Sequence, residues 1–169
     1  MAALAPSILV RGGAPFGAGL RRSTHHFAIV RSQRRSLQTS ILAQSREVIS
    51  TDKAPGAVGP YSQAIKHGNT LYVSGQVPLV PGTKNLVGDD IADQTDQALK
   101  NLGAILEAAG SSYSQVLKTT VLLVDMSDFA TVNEVYGRYF SENTPARACF
   151  AVKTLPLGAK VEIEAVAAL

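Results

Sequence analysis

The 169-residue chain has a single cysteine, Cys149, and no tryptophan. A lone cysteine excludes an internal disulfide, so an oxidising compartment leaves no mark on the sequence. Histidine is equally scarce, since beyond residue 46 only His67 remains, next to a turn signal. One cysteine and one histidine cannot supply the usual ligand set of a zinc site without several carboxylates. The position of His67 beside a turn argues against a histidine-based triad. Neither a G-x-x-x-x-G-K-[ST] phosphate loop nor a dinucleotide fingerprint is present. No apolar run reaches 18 residues without glycine or proline, so no membrane-spanning helix is expected.

Acidic residues are missing from the first 46 positions, and so is lysine. That segment instead holds seven arginines (Arg11, Arg21, Arg22, Arg31, Arg34, Arg35, Arg46) and six serines. Without those arginines, nine basic residues face thirteen acidic ones, so residues 47–169 carry a net charge of about −4 despite the +3 of the whole chain. An Arg- and Ser-rich, acid-free N-terminus has the composition of an organellar transit peptide. The other reading is a basic arm that binds nucleic acid or anionic lipid. Scattered arginines among apolar residues, rather than a Lys/Arg block, favour import. "RRSLQTS" (34–40) resembles mitochondrial processing sites, whereas "MAALAPS" suits a plastid signal. The mitochondrial matrix is therefore the first expected destination and the plastid stroma the second. One tail (1–46) and one domain (47–169) are expected.

Within the domain, "EVIST" (47–51) predicts a short strand and "YSQAIKHGNTLYVSG" (61–75) a hairpin turning at Gly68-Asn69. Ile91, Thr95, Ala98, Leu99, Leu102, Ile105, Leu106 and Ala109 recur at helical spacing, with Asp89 or Asp90 placed to cap the start and Gly110 the end. "QVLKTTVLLVD" (115–125) reads as a strand with Leu117, Thr119, Val121 and Leu123 on one face. Val116, Lys118, Thr120, Leu122 and Val124 take the other. Both faces are largely apolar and need cover, one from helices and the other from a second subunit. A second helix, "DFATVNEVYGRYF", is expected to open at Ser127 or Asp128. "ARACFAV" (146–152) and "KVEIEAVA" (160–167) close the chain as strands of the sheet interior. The order β-β-β-α-β-α-β-β predicts an α+β fold, one six-stranded mixed sheet with two helices on one face.

Only Arg138 and Arg147 remain as arginines of the domain. Arg138 falls on the polar side of the second helix. Arg147 follows Pro145-Ala146 among apolar residues and shares a strand face with Cys149. An arginine there suits a carboxylate clamp, because its planar fork offers two parallel donors and stays charged when partly desolvated. The alternative is a structural ion pair with Glu162 or Glu164, which share a face of the last strand. Cys149 lacks a neighbouring histidine or lysine to lower its pKa and reads as a buried, inert thiol. An acidic domain with two arginines is a poor nucleic-acid binder.

Taken together and in order, "APGAVGPYSQAI" (54–65), "LYVSGQVP" (71–78), "VLKTTVLLVDMSDFATVN" (116–133), "PARACFAV" (145–152) and "KVEIEAVA" (160–167) resemble the reactive intermediate deaminase family, RidA/YjgF. The resemblance covers nearly all of residues 47–169. It implies a chorismate-mutase-like fold assembled as a homotrimer, with sites in the clefts between subunits. It also implies a hydrolase needing neither cofactor nor metal. Such an enzyme converts 2-imino acids or their enamines (2-iminobutanoate, 2-iminopropanoate) to 2-oxo acids and ammonia. Those imines leave pyridoxal-phosphate dehydratases, and clearing them protects other pyridoxal-phosphate enzymes. By the same resemblance Arg147 binds the substrate carboxylate and Glu162 handles protons at an attacking water. Tyr61, Ser74, Gly75, Asn133 and the backbone of Cys149 line the substrate. The implied partners are the imino acid and two further copies of the chain, with no nucleic acid or membrane. Alternatives from other classes are a non-catalytic 2-oxo acid-binding trimer and an RNA-cleaving translation inhibitor.

Overall fold

The computed structural model describes residues 45–169; the expected import segment falls almost wholly outside them. Six strands and two α-helices follow the predicted order: β1 (Arg46–Ile49), β2 (Ala64–His67), β3 (Thr70–Gln76), α1 (Ile91–Ala108), β4 (Val116–Leu123), α2 (Phe129–Tyr139), β5 (Ala146–Ala151) and β6 (Val161–Ala168). The sheet runs β1-β2-β3-β6-β4-β5. All neighbours are antiparallel except β4 and β5, which are parallel. The parallel pair exists because α2 carries the chain back across the sheet between them, as a crossover must.

Local chemistry sets the boundaries. Gly68, at a φ of 59°, turns the β2–β3 hairpin as "HGNT" predicts. Asp90 caps α1, its Oδ1 accepting from the backbone N–H of Ala92 (2.8 Å) and Asp93 (3.0 Å). Gly110 follows the helix at a φ of 79°. The entry to α2 falls where expected, with Asp128 at the N-cap position. Asp128 adopts helical dihedrals and makes no side-chain cap, and Ser127 lies inside a preceding 3-10 turn. Asp125 caps that turn by accepting from Ser127 N–H at 2.8 Å. The 3-10 turn runs directly into the helix, so the side-chain cap lies upstream of it.

One side of α1 (Leu99, Leu102, Ile105, Leu106) and one side of α2 (Val132, Val135, Tyr136, Phe140) bury against Leu71, Val73, Val121, Leu123, Val161, Ile163, Ala165 and Ala167. A fully buried leucine or isoleucine of this kind contributes about 1.5–3 kcal/mol of transfer free energy. Both helices therefore cover a single face of the sheet, as expected.

Two expectations for the strands are corrected. A bulge in β4 lets Val116 pair with Ala167 and Lys118 with Val166, leaving Leu117 as the extra residue. Val116 is consequently buried with Thr119, Val121 and Leu123, and Leu117 is 55% exposed. Strict alternation fails wherever a residue is inserted in a strand. In addition, β5 is an edge strand rather than an interior one, and Arg147 is exposed. Its small apolar residues matched a buried strand in pattern, but β6 takes the central position, between β3 and β4.

Four buried amide side chains that hydrophobic spacing does not reveal fasten the loops to this core. Asn101 Nδ2 donates to the carbonyls of Val77 (3.1 Å) and Leu79 (2.9 Å). Gln94 donates to Gly88 O and accepts from Lys160 N–H. Gln76 Nε2 donates to Ser74 O at 2.9 Å. Gln63 accepts from Thr51 N–H at 2.7 Å and donates to the carbonyls of Thr51, Ala54 and Pro55. Satisfying a backbone group of an irregular segment inside the core avoids the penalty of an unpaired buried dipole.

Candidate functional site

Arg147 is the register partner of Thr119 in the parallel β4–β5 pair, and Cys149 that of Val121. Paired residues project to the same side of a sheet, so Arg147 and Cys149 face the helices. The guanidinium carbon lies 4.8 Å from the Tyr136 ring centroid and 5.6 Å from that of Phe129. Behind it, the Tyr136 ring stacks on Phe140 with centroids 4.4 Å apart. The Tyr136 hydroxyl shares a 2.7 Å hydrogen bond with Thr119 Oγ1. Burial pushes the Tyr136 phenol above its ordinary pKa, with the Thr119 bond and the Arg147 charge opposing it.

Among the described residues Arg147 makes no ion pair. The structural pairing with Glu162 or Glu164 is not formed within the chain. Asn133 lies one turn beyond Phe129 and three residues before Tyr136, on the same stripe of α2. Its Oδ1 is buried without a hydrogen-bond partner. Burial pushes the Cys149 thiol up, against a smaller lowering by Arg147. The thiol stays protonated near neutrality and is a poor nucleophile.

Glu162 belongs to the opposite face. It pairs with Leu122 in β4, and the helix-facing neighbours of β6 are Val161 and Ile163. The register between β3 and β6 jumps from Val73↔Ala165 to Gln76↔Ile163, which inserts one residue at Ser74-Gly75. Over this bulge lies the Glu162 carboxyl, in the space a Cβ on Gly75 would fill. A side chain at this position would displace the Glu162 carboxyl, so glycine permits that close approach. Ser74 ties the bulge to the preceding loop: its Oγ donates to Ser62 O at 2.7 Å and its N–H to Gln63 O at 3.0 Å. The next residue back, Tyr61, is 48% exposed, and its hydroxyl accepts from Val58 N–H at 3.2 Å.

The expected site residues therefore form two groups. Arg147, Cys149 and Asn133 lie on the helix side at the β5 edge. Glu162, Gly75 and Ser74, with Tyr61 nearby in sequence, gather around the β3 bulge. Glu162 stands two strands from Arg147 and three residues along, so their Cα atoms are separated by about 14 Å, with the side chains on opposite faces. No single chain brings the two charges onto one small ligand. Local spacing gives Phe129, Tyr136, Thr119 and Gln63 no role at a site. The only early signal was that Phe129 and Tyr136, seven residues apart, share a helix face.

Glu162 has an electrostatic signature of its own. Burial, and then the like charge of Glu164, raise its carboxyl above the usual range. The fold thus favours the protonated form, so the contribution to stability is full below the unfolded value of about pH 4.3 and is lost as pH rises through the higher folded pKa. Glu162→Gln is expected to raise the melting temperature at pH 8 and leave it unchanged at pH 4. Melting curves at the two pH values check this; an equal gain at both would assign it to packing.

Comparison with known proteins follows the same lines. The family model described as Endoribonuclease L-PSP matches residues 51–169. Reactive Intermediate Deaminase A, chloroplastic, of Arabidopsis thaliana is 52% identical over 134 residues, covering 79% of this chain and 72% of its own length. The 2-iminobutanoate/2-iminopropanoate deaminase of Homo sapiens is 56% identical over 122 residues, covering 72% of this chain and 89% of its own. The crystal structure of E. coli TdcF with bound serine is 43% identical and superposes with a TM-score of 0.70, covering 73% of this chain and 98% of that one. Both the six-stranded sheet with its two helices and the sequence matches give the same answer: the chain belongs to the RidA/YjgF family.

Proposed function

We propose that the protein is a cofactor-free deaminase that hydrolyses 2-imino acids such as 2-iminobutanoate and 2-iminopropanoate to 2-oxo acids and ammonia, at clefts between copies of the chain in a homotrimer. The observation that carries this reading is Arg147, a guanidinium seated on two aromatic rings with no carboxylate partner among the described residues. Its free N–H fork suits a substrate carboxylate. The names of the human and Arabidopsis relatives and the serine bound to TdcF agree with a small amino acid-derived ligand.

The division of the site supports assembly. Arg147 and Glu162 can converge on one ligand only when the first comes from one copy and the second from a neighbour. The surfaces for such contact are present. The sheet face away from the helices exposes Val48, Tyr72 and Phe150, and the outer edge of β5 has no strand partner among the described residues.

Chemically, Arg147 binds the carboxylate and fixes the C=N carbon beside water, converting an encounter into a positioned reaction. Water adds to that carbon while Glu162 accepts its proton. Glu162 returns that proton to the nitrogen of the resulting amino alcohol, then takes the hydroxyl proton as C=O forms and the C–N bond breaks, and the 2-oxo acid and ammonia depart. The raised pKa of Glu162 suits a carboxyl that must both take and return a proton. Asn133, Tyr61, Ser74, Gly75 and the Cys149 backbone complete the lining. Clearing such imines at their source would protect pyridoxal-phosphate enzymes from the reactive enamine tautomers.

Residues 1–46 serve, in this reading, as an import segment. The plastid-targeted name of the Arabidopsis relative supports the stroma, and the spacing of arginines before Ser36 supports the mitochondrial matrix. Turnover tests the proposal directly. A threonine dehydratase generates 2-iminobutanoate, and semicarbazide competes for it. The protein is expected to suppress semicarbazone formation. Absence of suppression, with binding of 2-oxobutanoate retained, would favour a non-catalytic ligand-binding trimer.

A further inference from the structure

We infer that Tyr136 and Phe129 are positioning residues that aim Arg147 at the substrate carboxylate, in place of the counter-ion that usually orients a functional arginine. This deepens the reading above and rests on it.

The cradle has three layers. The guanidinium lies against the rings of Tyr136 and Phe129, at 4.8 and 5.6 Å. Tyr136 is held from behind by Phe140 and at its tip by Thr119 Oγ1. Thr119 is itself 1% exposed and is the strand partner of Arg147, so the anchor and the anchored group share one register pair. A tyrosine fixed at ring and hydroxyl has little freedom, and the cation above it inherits that restriction. The choice of aromatic support has a chemical consequence. A carboxylate partner would occupy the N–H fork and compete with substrate, whereas a ring face attracts the cation through its quadrupole and leaves the edge donors free. Arg147 is otherwise exposed on an edge strand, where an unsupported side chain would sample many rotamers.

The test compares wild type with Phe129→Leu, Tyr136→Leu and Tyr136→Phe. It measures steady-state imine hydrolysis and the calorimetric Kd of 2-oxobutanoate, with melting curves for each variant. The two leucine variants are expected to raise KM and Kd together by about fivefold, the upper end of an exposed cation–π contact. In the same variants kcat is expected to fall less than about threefold, because the loss lies in carboxylate binding rather than in proton transfer. Tyr136→Phe, which keeps the ring, should recover most of the affinity. A merely structural role would lower the melting temperature without this pattern. Phe129 is only half-buried, so Phe129→Leu carries the test if Tyr136→Leu does not fold. An active wild type with Kd and KM unchanged in the folded leucine variants would overturn the inference and leave the proposed function standing. A wild type that neither binds 2-oxobutanoate nor hydrolyses the imine would overturn both.

Discussion

Arg147→Ala is expected to remove imine hydrolysis, with kcat/KM falling by at least about a hundredfold, since misplacing a substrate by an ångström already costs that much. The fold should survive. Arg147 is exposed, lies on the edge strand and makes no ion pair among the described residues. What the chain loses is its contact with the Tyr136 and Phe129 rings, about 0.5–1 kcal/mol at an exposed site. Arg147→Lys should rescue little, because an ammonium offers no planar fork to a carboxylate. Kinetics on freshly generated 2-iminobutanoate, with melting curves and sedimentation on the same samples, check all three expectations. Retained turnover in a folded Arg147→Ala protein would falsify the assignment of the clamp.

The second large effect concerns where the site is assembled. Glu162→Gln removes the group proposed to move the proton and should by itself cost about 10²–10⁴-fold in rate. Mixed with Arg147→Ala chains, however, it is expected to regain activity. If each cleft takes Arg147 from one copy and Glu162 from the next, random 1:1 assembly gives an intact arginine in half of the clefts. Independently, half have an intact glutamate, so about a quarter of wild-type activity returns. A site contained in one chain would give nothing, since every chain carries a lesion. The geometry favours the first result: Arg147 projects to the helix side of β5 and Glu162 to the other face of β6, over Gly75. Co-expression of the two variants followed by activity measurement at matched protein concentration decides it.

Several elements were legible from local patterning because the physics that makes them is local. The seven apolar positions from Ile91 to Ala109, with Thr95, define α1, and Asp90 and Gly110 mark its ends through bonds and dihedrals that span a few residues. Gly68-Asn69 fixed the first hairpin for the same reason. Where an interaction is non-local, patterning misled. The bulge at Leu117 reverses the face of Val116, and it is set by pairing with Val166 and Ala167, some fifty residues away. The edge position of β5 follows from the α2 crossover, and a short strand rich in alanine looks alike at an edge or in the middle.

The candidate site divides along the same line. Glu162 was singled out by the family resemblance; by itself, the sequence determined the strand and helix order, the acidic balance of the domain, its scarcity of His and Cys, and Arg147 as the charged residue worth attention. These depend on residue type and periodicity alone. Only the tertiary structure decided that those two residues face opposite sides of the sheet, that Gly75 leaves room for Glu162, and that Tyr136, Phe129 and Thr119 support Arg147. Each of those facts is a distance between segments far apart in the chain. Such distances are fixed by sheet register and helix packing, which no local spacing encodes.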